Sequence, residues 1–144
     1  MIAIIRILTG LLLCVSGAEK LIWPYQNFLY VVQGYQSIPP GFDMIVARVF
    51  PWIEFLTGLL LVLGLWVPQM LKVTILLFSC FILLIAQALL RKIPLEDCGC
   101  FGQLLTMKPQ HTLVMDSLIL LGIAWALGHP KDAGRLSLDR YFAR

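Results

Sequence analysis

Cys98 and Cys100 stand one residue apart in the stretch Asp97-Cys98-Gly99-Cys100-Phe101-Gly102, inside a charged segment between two long apolar runs. Thiols at this spacing are suited to exchanging electrons or to holding a soft metal ion. Because consecutive Cα atoms are about 3.8 Å apart, residues two apart fall near the roughly 4.4–6.8 Å window of a disulfide. A Cys98–Cys100 bridge would close a small, strained ring, which makes such a bond readily exchanged. The motif predicts a redox-active pair, whereas two unrelated loop cysteines or a disulfide to another part of the chain are the alternatives.

Two carboxylates, Glu54 and Asp116, stand in otherwise apolar stretches. Ionisable groups inside a membrane are expensive and usually face a partner or a functional site. Glu54 is expected either to pair with Lys20 or Arg48 as a structural ion pair, or to handle protons together with Asp116 when the thiols are oxidised. The candidate catalytic residues are therefore Cys98, Cys100, Glu54 and Asp116.

The remaining cysteines, Cys14 and Cys80, fall near the middle of apolar runs. Buried cysteine behaves as a small hydrophobe, and this is the simpler interpretation. The alternative is a second thiol pair that passes electrons to a membrane quinone or receives a metal ion. Gln87 shares a helical face with Cys80 and Leu84 by i, i+4, i+7 spacing, so we expect that face to point into the protein.

Composition decides which elements position these residues. The chain has 144 residues, of which 60% are apolar, and its mean hydropathy is +0.88, far above what a soluble domain of this size can bury. A membrane span needs about 20 apolar residues, and the four stretches that qualify are 2–22, 44–67, 70–90 and 112–128. The first is expected to be a retained span rather than a signal peptide, because its apolar run is longer than a signal peptide needs.

These spans predict one all-α integral-membrane domain over residues 1–144, with a loop at 91–111 and a basic tail at 129–144. The stretch from Tyr25 to Phe42 is expected to lie at the membrane surface as an amphipathic segment. The short turn after Trp66 makes spans two and three an antiparallel hairpin. Pro51 removes a backbone hydrogen bond inside span two, which predicts a kink or a local break.

The charge pattern bears on partners and orientation. The net charge of +3 comes from dispersed residues, which argues against a nucleic-acid partner. Of the Lys and Arg residues, six fall on the side of the two termini and five on the other side in a four-span topology. The positive-inside rule then places the termini in the cytoplasm and the Cys-Gly-Cys loop outside. In a bacterial inner membrane that loop would face the oxidising periplasm, where disulfide chemistry is common.

The sequence resembles the MauE branch of the DoxX-like membrane proteins. The resemblance rests on Gly17 with Lys20 at the end of span one, on Pro51-x-x-Glu54 in span two, and on Cys98-Gly99-Cys100-Phe101-Gly102 after span three. It implies a four-helix membrane bundle, related in architecture to vitamin K epoxide reductase-like proteins, that works with a thioredoxin-like periplasmic partner. It also implies a role in the maturation of methylamine dehydrogenase, a protein in which many disulfides must form. The chain lacks the membrane-level Cys-x-x-Cys of vitamin K epoxide reductase-like enzymes, which argues against quinone reduction.

Three functions are consistent with these residues. The first is a thiol-disulfide relay, a possible oxidoreductase, in which Cys98 and Cys100 exchange with a partner's cysteines through a mixed disulfide. The second is a transporter of Cu(I) or Hg(II) that uses the same thiols together with Cys14 and Cys80. The third is a membrane anchor or chaperone without chemistry of its own, which the loop dithiol argues against.

Overall fold

The computed structural model describes residues 2–36, 38–39, 41–92 and 109–129. Every regular element in these ranges is a helix, and the five helices are α1 (Ile2–Ile22), α2 (Tyr25–Gly34), α3 (Phe42–Leu63), α4 (Val67–Leu90) and α5 (Pro109–Gly128). Four of them, α1, α3, α4 and Gln110–Gly128 of α5, are long and apolar enough to cross a membrane. Helices are favoured because a spanning segment must satisfy its own backbone hydrogen bonds. The predicted all-helical four-span membrane protein is confirmed.

The spanning helices form a bundle in which α1 packs most extensively on α3, and α4 packs on α5. Smaller contacts between α3 and α4, and between α1 and α5, join these two pairs. The short helix α2 packs on α3 and touches α1. We call the end of the bundle where α1 ends and α3 begins the α2 end. Because the spans alternate in direction, α4 ends and α5 begins at that same end.

A tight turn joins α3 to α4. Gly64 adopts a left-handed conformation with φ 71°, and the N–H groups of Gly64 and Leu65 both donate to the Leu60 carbonyl, at 2.8 and 3.0 Å. This pattern closes a helix C-terminus at a residue that suits glycine. Pro68 then stands in the first turn of α4, where a missing N–H does no harm. Spans two and three therefore form the predicted hairpin.

The helix α3 and the segment before it differ in part from the sequence-based expectations. The helix α3 runs without interruption through Pro51, which is buried, so no local break occurs at that residue. Packing from neighbouring helices allows a proline inside a membrane helix. The predicted surface segment is helical only from Tyr25 to Gly34, and it buries Val32 within that helix and Tyr35 just after it.

A cluster of buried residues near the α2 end consists of Tyr35, Phe81, Ile85 and Ala88. Partly buried residues from α1, α2, α3 and α5 pack against it. The cluster therefore connects the short helix α2 with all four spans. It lies beside the polar site described next.

Candidate functional site

The helices α1 and α3 approach each other closely, and glycines permit this approach. A methyl group on Gly17 would lie 2.6 Å from the Phe55 backbone nitrogen, and one on Gly58 would lie 2.6 Å from the Cys14 nitrogen. Such distances leave no room for any side chain, so the two backbones are in direct contact. This contact fixes the register of α1 against α3. The register in turn brings Lys20 opposite Glu54.

Lys20 and Glu54 form an ion pair inside the protein. The Lys20 ammonium donates to Glu54 Oε2 at 2.7 Å, and the two side chains are 2% and 1% exposed. The ammonium also donates to the Ser16 hydroxyl at 3.2 Å, one helical turn earlier on α1. Of the two partners predicted for Glu54, the structure thus selects Lys20. Arg48 lies instead with its guanidinium carbon 5.1 Å from the centre of the Tyr25 ring.

Aromatic rings from two further helices surround the ammonium group. The Lys20 Nζ atom lies 5.0 Å from the ring centre of Phe28 on α2 and 5.5 Å from that of Phe81 on α4. The Phe50 ring on α3 packs edge-on against Phe81, with ring centres 5.3 Å apart. The faces of such rings attract a cation, most strongly where water is excluded. The sequence analysis missed these rings, because a phenylalanine in an apolar run carries no signal of a polar neighbour.

The second oxygen of Glu54 has a different environment. Glu54 Oε1 is buried and has no hydrogen-bond partner within the described part of the chain. A buried carboxylate oxygen without a donor is energetically unfavourable unless a water, a proton or another group serves it. Glu54 therefore has one oxygen held by the Lys20 ammonium and one without a hydrogen-bond donor among the described residues.

The other predicted carboxylate, Asp116, lies on α5. Its side chain is buried, with a relative exposure of 1%. The neighbouring residues Leu113 and Met115 pack against the cluster that contains Phe81, and Phe81 is the ring that faces the Lys20 ammonium. Both predicted carboxylates are thus buried, Asp116 about 10 Å along α5 from the α2 end and Glu54 about 18 Å along α3 from that end.

A further buried charge, Arg6, was not among the predicted site residues. Arg6 lies in the first half of α1 and its relative exposure is 0%. The signal for its burial is the spacing to Thr9, Gly10 and Leu13 at i+3, i+4 and i+7, which puts small and polar residues on the one face of α1 that is buried. Its burial extends the polar interior beyond the Lys20–Glu54 pair.

The two membrane cysteines have unlike surroundings. Cys14 is half-buried between α1 and α3, where its thiol donates to the Phe55 carbonyl at 3.8 Å. Cys80 is exposed on α4, so the expected inward orientation of its face is wrong for Cys80, whereas Leu84 of the same face packs against the buried cluster of Phe81 and Ile85. The face of α4 that packs inward carries Phe78, Phe81 and Ile85 instead. Both thiols are free, and neither forms a disulfide.

The predicted loop dithiol, Cys98 and Cys100, lies outside the described residues. The described chain leaves α4 at Leu90 and resumes with α5 at Pro109, so both attachment points of the loop belong to the α2 end. Within the described ranges, no group of three or more His, Cys, Asp or Glu residues could hold a metal ion.

Comparison with known proteins gives one match. The family model described as "Methylamine utilisation protein MauE" matches residues 1–129, which includes all five helices and the Cys-Gly-Cys motif. No curated protein and no solved structure matches the chain.

Proposed function

The chain belongs to the MauE family of methylamine utilisation proteins, and on this basis we propose that it is a membrane thiol-disulfide relay that serves a periplasmic thioredoxin-like partner. Such a relay would support disulfide formation in exported proteins, as in the maturation of methylamine dehydrogenase. The observation that carries the proposal is the Cys98-Gly99-Cys100 motif, in a segment whose two attachment points, on α4 and α5, belong to the α2 end of the bundle that contains the buried Lys20–Glu54 pair.

The exchange proceeds in two steps that balance without another reagent. A thiolate of the partner attacks one sulfur of the Cys98–Cys100 disulfide, so that a mixed disulfide forms and the other cysteine leaves as a thiolate. The partner's second thiolate then attacks the mixed disulfide and releases the first cysteine. Two electrons have moved from the partner to Cys98 and Cys100, and the partner has become a disulfide. The same steps in reverse oxidise Cys98 and Cys100.

The exchange itself releases no net protons, because the partner's dithiol gives up two and the new Cys98–Cys100 dithiol takes up two. Two protons are released when a further oxidant, such as a quinone, takes two electrons and turns Cys98 and Cys100 back into a disulfide, and the buried carboxylates are suited to move them. Glu54 Oε1, buried and without a hydrogen bond within the described residues, is a proton acceptor on this route. Asp116, buried on α5 beside the same aromatic cluster, is the second. Lys20 keeps Glu54 oriented by holding its other oxygen at 2.7 Å.

The described residues do not favour transport of a soft metal ion, the second function considered. Such transport needs thiols that face one path through the bundle. Cys80 is exposed on α4, whereas Cys14 points at the Phe55 carbonyl between α1 and α3. These two cysteines therefore do not face a shared interior site. A quinone remains a candidate oxidant for the dithiol in this proposal.

Trapping of a mixed disulfide tests the relay. Cys98→Ser and Cys100→Ser are each expressed in membranes that contain the exported partner proteins, and adducts are separated without reductant and identified by mass spectrometry. We expect at least one variant to capture a thioredoxin-like protein, because the missing thiol can no longer resolve the adduct. The double variant is the control and should capture nothing. Failure of both single variants, together with a stoichiometric soft metal ion in the purified protein, would overturn the relay.

A further inference from the structure

A cavity of about 440 Å³ opens beside the ion pair, between the end of α1, the start of α2 and the first half of α3. It is of a size that holds a small molecule or a lipid headgroup. Its charged lining residues, among those described, are Lys20 and Arg48, and its aromatic ones are Trp23, Tyr25 and Trp52. No role in thiol exchange requires this cavity.

The charge that the cavity offers to a ligand comes from Arg48. The Lys20 ammonium is already neutralised by Glu54 at 2.7 Å. Arg48 is exposed, and its guanidinium is held against the Tyr25 ring at 5.1 Å. The cavity lining therefore carries a net charge of about +1. A guanidinium has a planar set of donors that matches a phosphate group in two parallel hydrogen bonds.

The depth of Arg48 suits the level of lipid headgroups. It lies six residues after Phe42, the first residue of α3, which is about 9 Å along the helix. An arginine at that depth extends its side chain towards the headgroup region. Trp23, which follows directly after α1, is 50% exposed in the lining of the cavity, and tryptophan is enriched at the headgroup level because its ring is amphipathic. Trp52 is 54% exposed and lies about 6 Å further along α3 than Arg48, beyond the headgroup level.

An apolar stripe leads from the cavity along the bundle. Exposed residues recur on α3 at i, i+4, i+7 and i+11 spacing, which places them on one helical face. They are Ile45, Val49, Trp52, Leu56, Leu59 and Leu63. Trp52 belongs both to this stripe and to the cavity lining. A lipid with its anionic headgroup at Arg48 could therefore lay its acyl chains along the exposed apolar face of α3.

We propose that this cavity binds the headgroup of an anionic phospholipid, with the phosphate on Arg48 and the acyl chains along the exposed face of α3. Phosphatidylglycerol fits the single positive charge of the lining. Phosphatidylethanolamine carries an ammonium group, and none of the described residues that line the cavity is a carboxylate that could receive it. The lipid would hold α2 against α1 and α3, beside the predicted proton acceptor.

Native mass spectrometry of the full chain tests this binding. The protein is stripped of lipid in detergent and titrated with phosphatidylglycerol or phosphatidylethanolamine at equal concentrations. We expect phosphatidylglycerol to bind more tightly, and Arg48→Gln to weaken it by about tenfold, the size of one lost charge-assisted hydrogen bond. Arg48→Lys should recover part of the affinity. The matched control is Arg91→Gln, which removes an exposed arginine at the same end of the bundle.

Three results would overturn the proposal. The first is equal binding of the two lipids, and the second is an equal loss in Arg48→Gln and Arg91→Gln, which would indicate a general charge effect. The third is displacement of the lipid by millimolar inorganic phosphate or by a short-chain quinone, which would assign the cavity to that ligand. Trp52→Ala is an independent test, because it removes the ring that belongs to both the cavity and the apolar stripe. It should weaken binding of phosphatidylglycerol although Arg48 is intact.

Discussion

The Lys20 ammonium lies 2.7 Å from Glu54 Oε2, and this contact joins α1 to α3 across 34 positions of sequence. Both side chains are almost completely excluded from solvent. A pair of charges buried in this way stabilises the fold only as long as both members are present. Two aromatic rings from other helices face the ammonium, so the pair connects four helices rather than two.

The first prediction concerns removal of one member of this pair. Glu54→Met leaves the Lys20 ammonium buried without its counter-charge, and Lys20→Met leaves the Glu54 carboxylate in the same state. Each change should lower the free energy of unfolding by about 3–5 kcal/mol, measured by denaturant or thermal unfolding in detergent. The double variant Lys20→Met/Glu54→Met buries no charge there and should be more stable than either single variant.

If the double variant lost as much free energy of unfolding as the two single variants together, a direct pairing of Lys20 with Glu54 would be contradicted. The comparison also separates stability from chemistry. If Glu54 accepts protons in the relay, the double variant regains stability without regaining the rate of thiol exchange.

The second prediction concerns the contact between α1 and α3. Gly17→Ala would place a methyl group 2.6 Å from the Phe55 nitrogen, and the backbone there cannot move aside cheaply. We expect a loss of about 1–3 kcal/mol, or more, in unfolding free energy. Gly128→Ala is the matched control, because a methyl group at Gly128 on α5 meets nothing within 4 Å. That variant should unfold no earlier than the parent protein, since alanine favours a helix.

If Gly17→Ala and Gly128→Ala lowered the free energy of unfolding equally, the close contact between α1 and α3 would not contribute to stability. Gly122→Ala gives an intermediate case. Its methyl group would meet Ile5 at 3.4 Å, an ordinary contact.

The third prediction concerns the junction of α2 and α3. Asp43 accepts hydrogen bonds from the Gln33 side chain at 2.6 Å, the Gly41 N–H at 2.9 Å and the Met44 N–H at 2.8 Å. Asp43→Ala removes all three and should loosen the junction of α2 and α3, because the Gly41 and Met44 N–H groups lose their acceptor. Hydrogen exchange at the Gly41 and Met44 amides should then be about tenfold faster or more.

Gln26→Ala changes an exposed glutamine of α2 and is the control for that experiment. It should leave the exchange of both amides unchanged. Unaltered exchange in Asp43→Ala would mean that the junction is held by the packing of α2 on α3 alone.

The spans could be predicted from sequence because an apolar run of about 20 residues has few alternatives to a membrane helix. The partner of Glu54 could be narrowed to Lys20 or Arg48 but not chosen. That choice depends on the register of α1 against α3, which the backbone contact at Gly17 and Gly58 sets. A glycine in an apolar run does not reveal which helix it will touch.

The failure at Cys80 has a general cause. Hydrophobic periodicity finds the buried face of a helix only where the other face meets water. On α4 both faces are apolar, so periodicity does not distinguish them. The face predicted to point inward was that of Cys80 and Gln87, whereas the face that packs inward carries Phe81 and Ile85. Packing, not polarity, decides burial in such a helix.

The last prediction separates electron relay from metal transport through the four cysteines. Cys80 is exposed on α4, and the thiol of Cys14 donates to the Phe55 carbonyl between α1 and α3. We therefore expect neither cysteine to take part in thiol-disulfide exchange at Cys98 and Cys100. Cys14→Ser keeps a donor for that carbonyl, and Cys80→Ser alters an exposed position. Both should keep the rate of thiol-disulfide exchange within about twofold of the parent, the range of substitutions that remove no key contact. Cys98→Ser and Cys100→Ser should each abolish it, because a disulfide needs both sulfurs.

The rate of thiol-disulfide exchange is followed by alkylation of free thiols and gel shift, with metal content measured on the same samples. Loss of function in Cys14→Ser or Cys80→Ser, accompanied by loss of a bound soft metal ion, would favour transport, since an electron relay through the same thiols would lose function without a change in metal content.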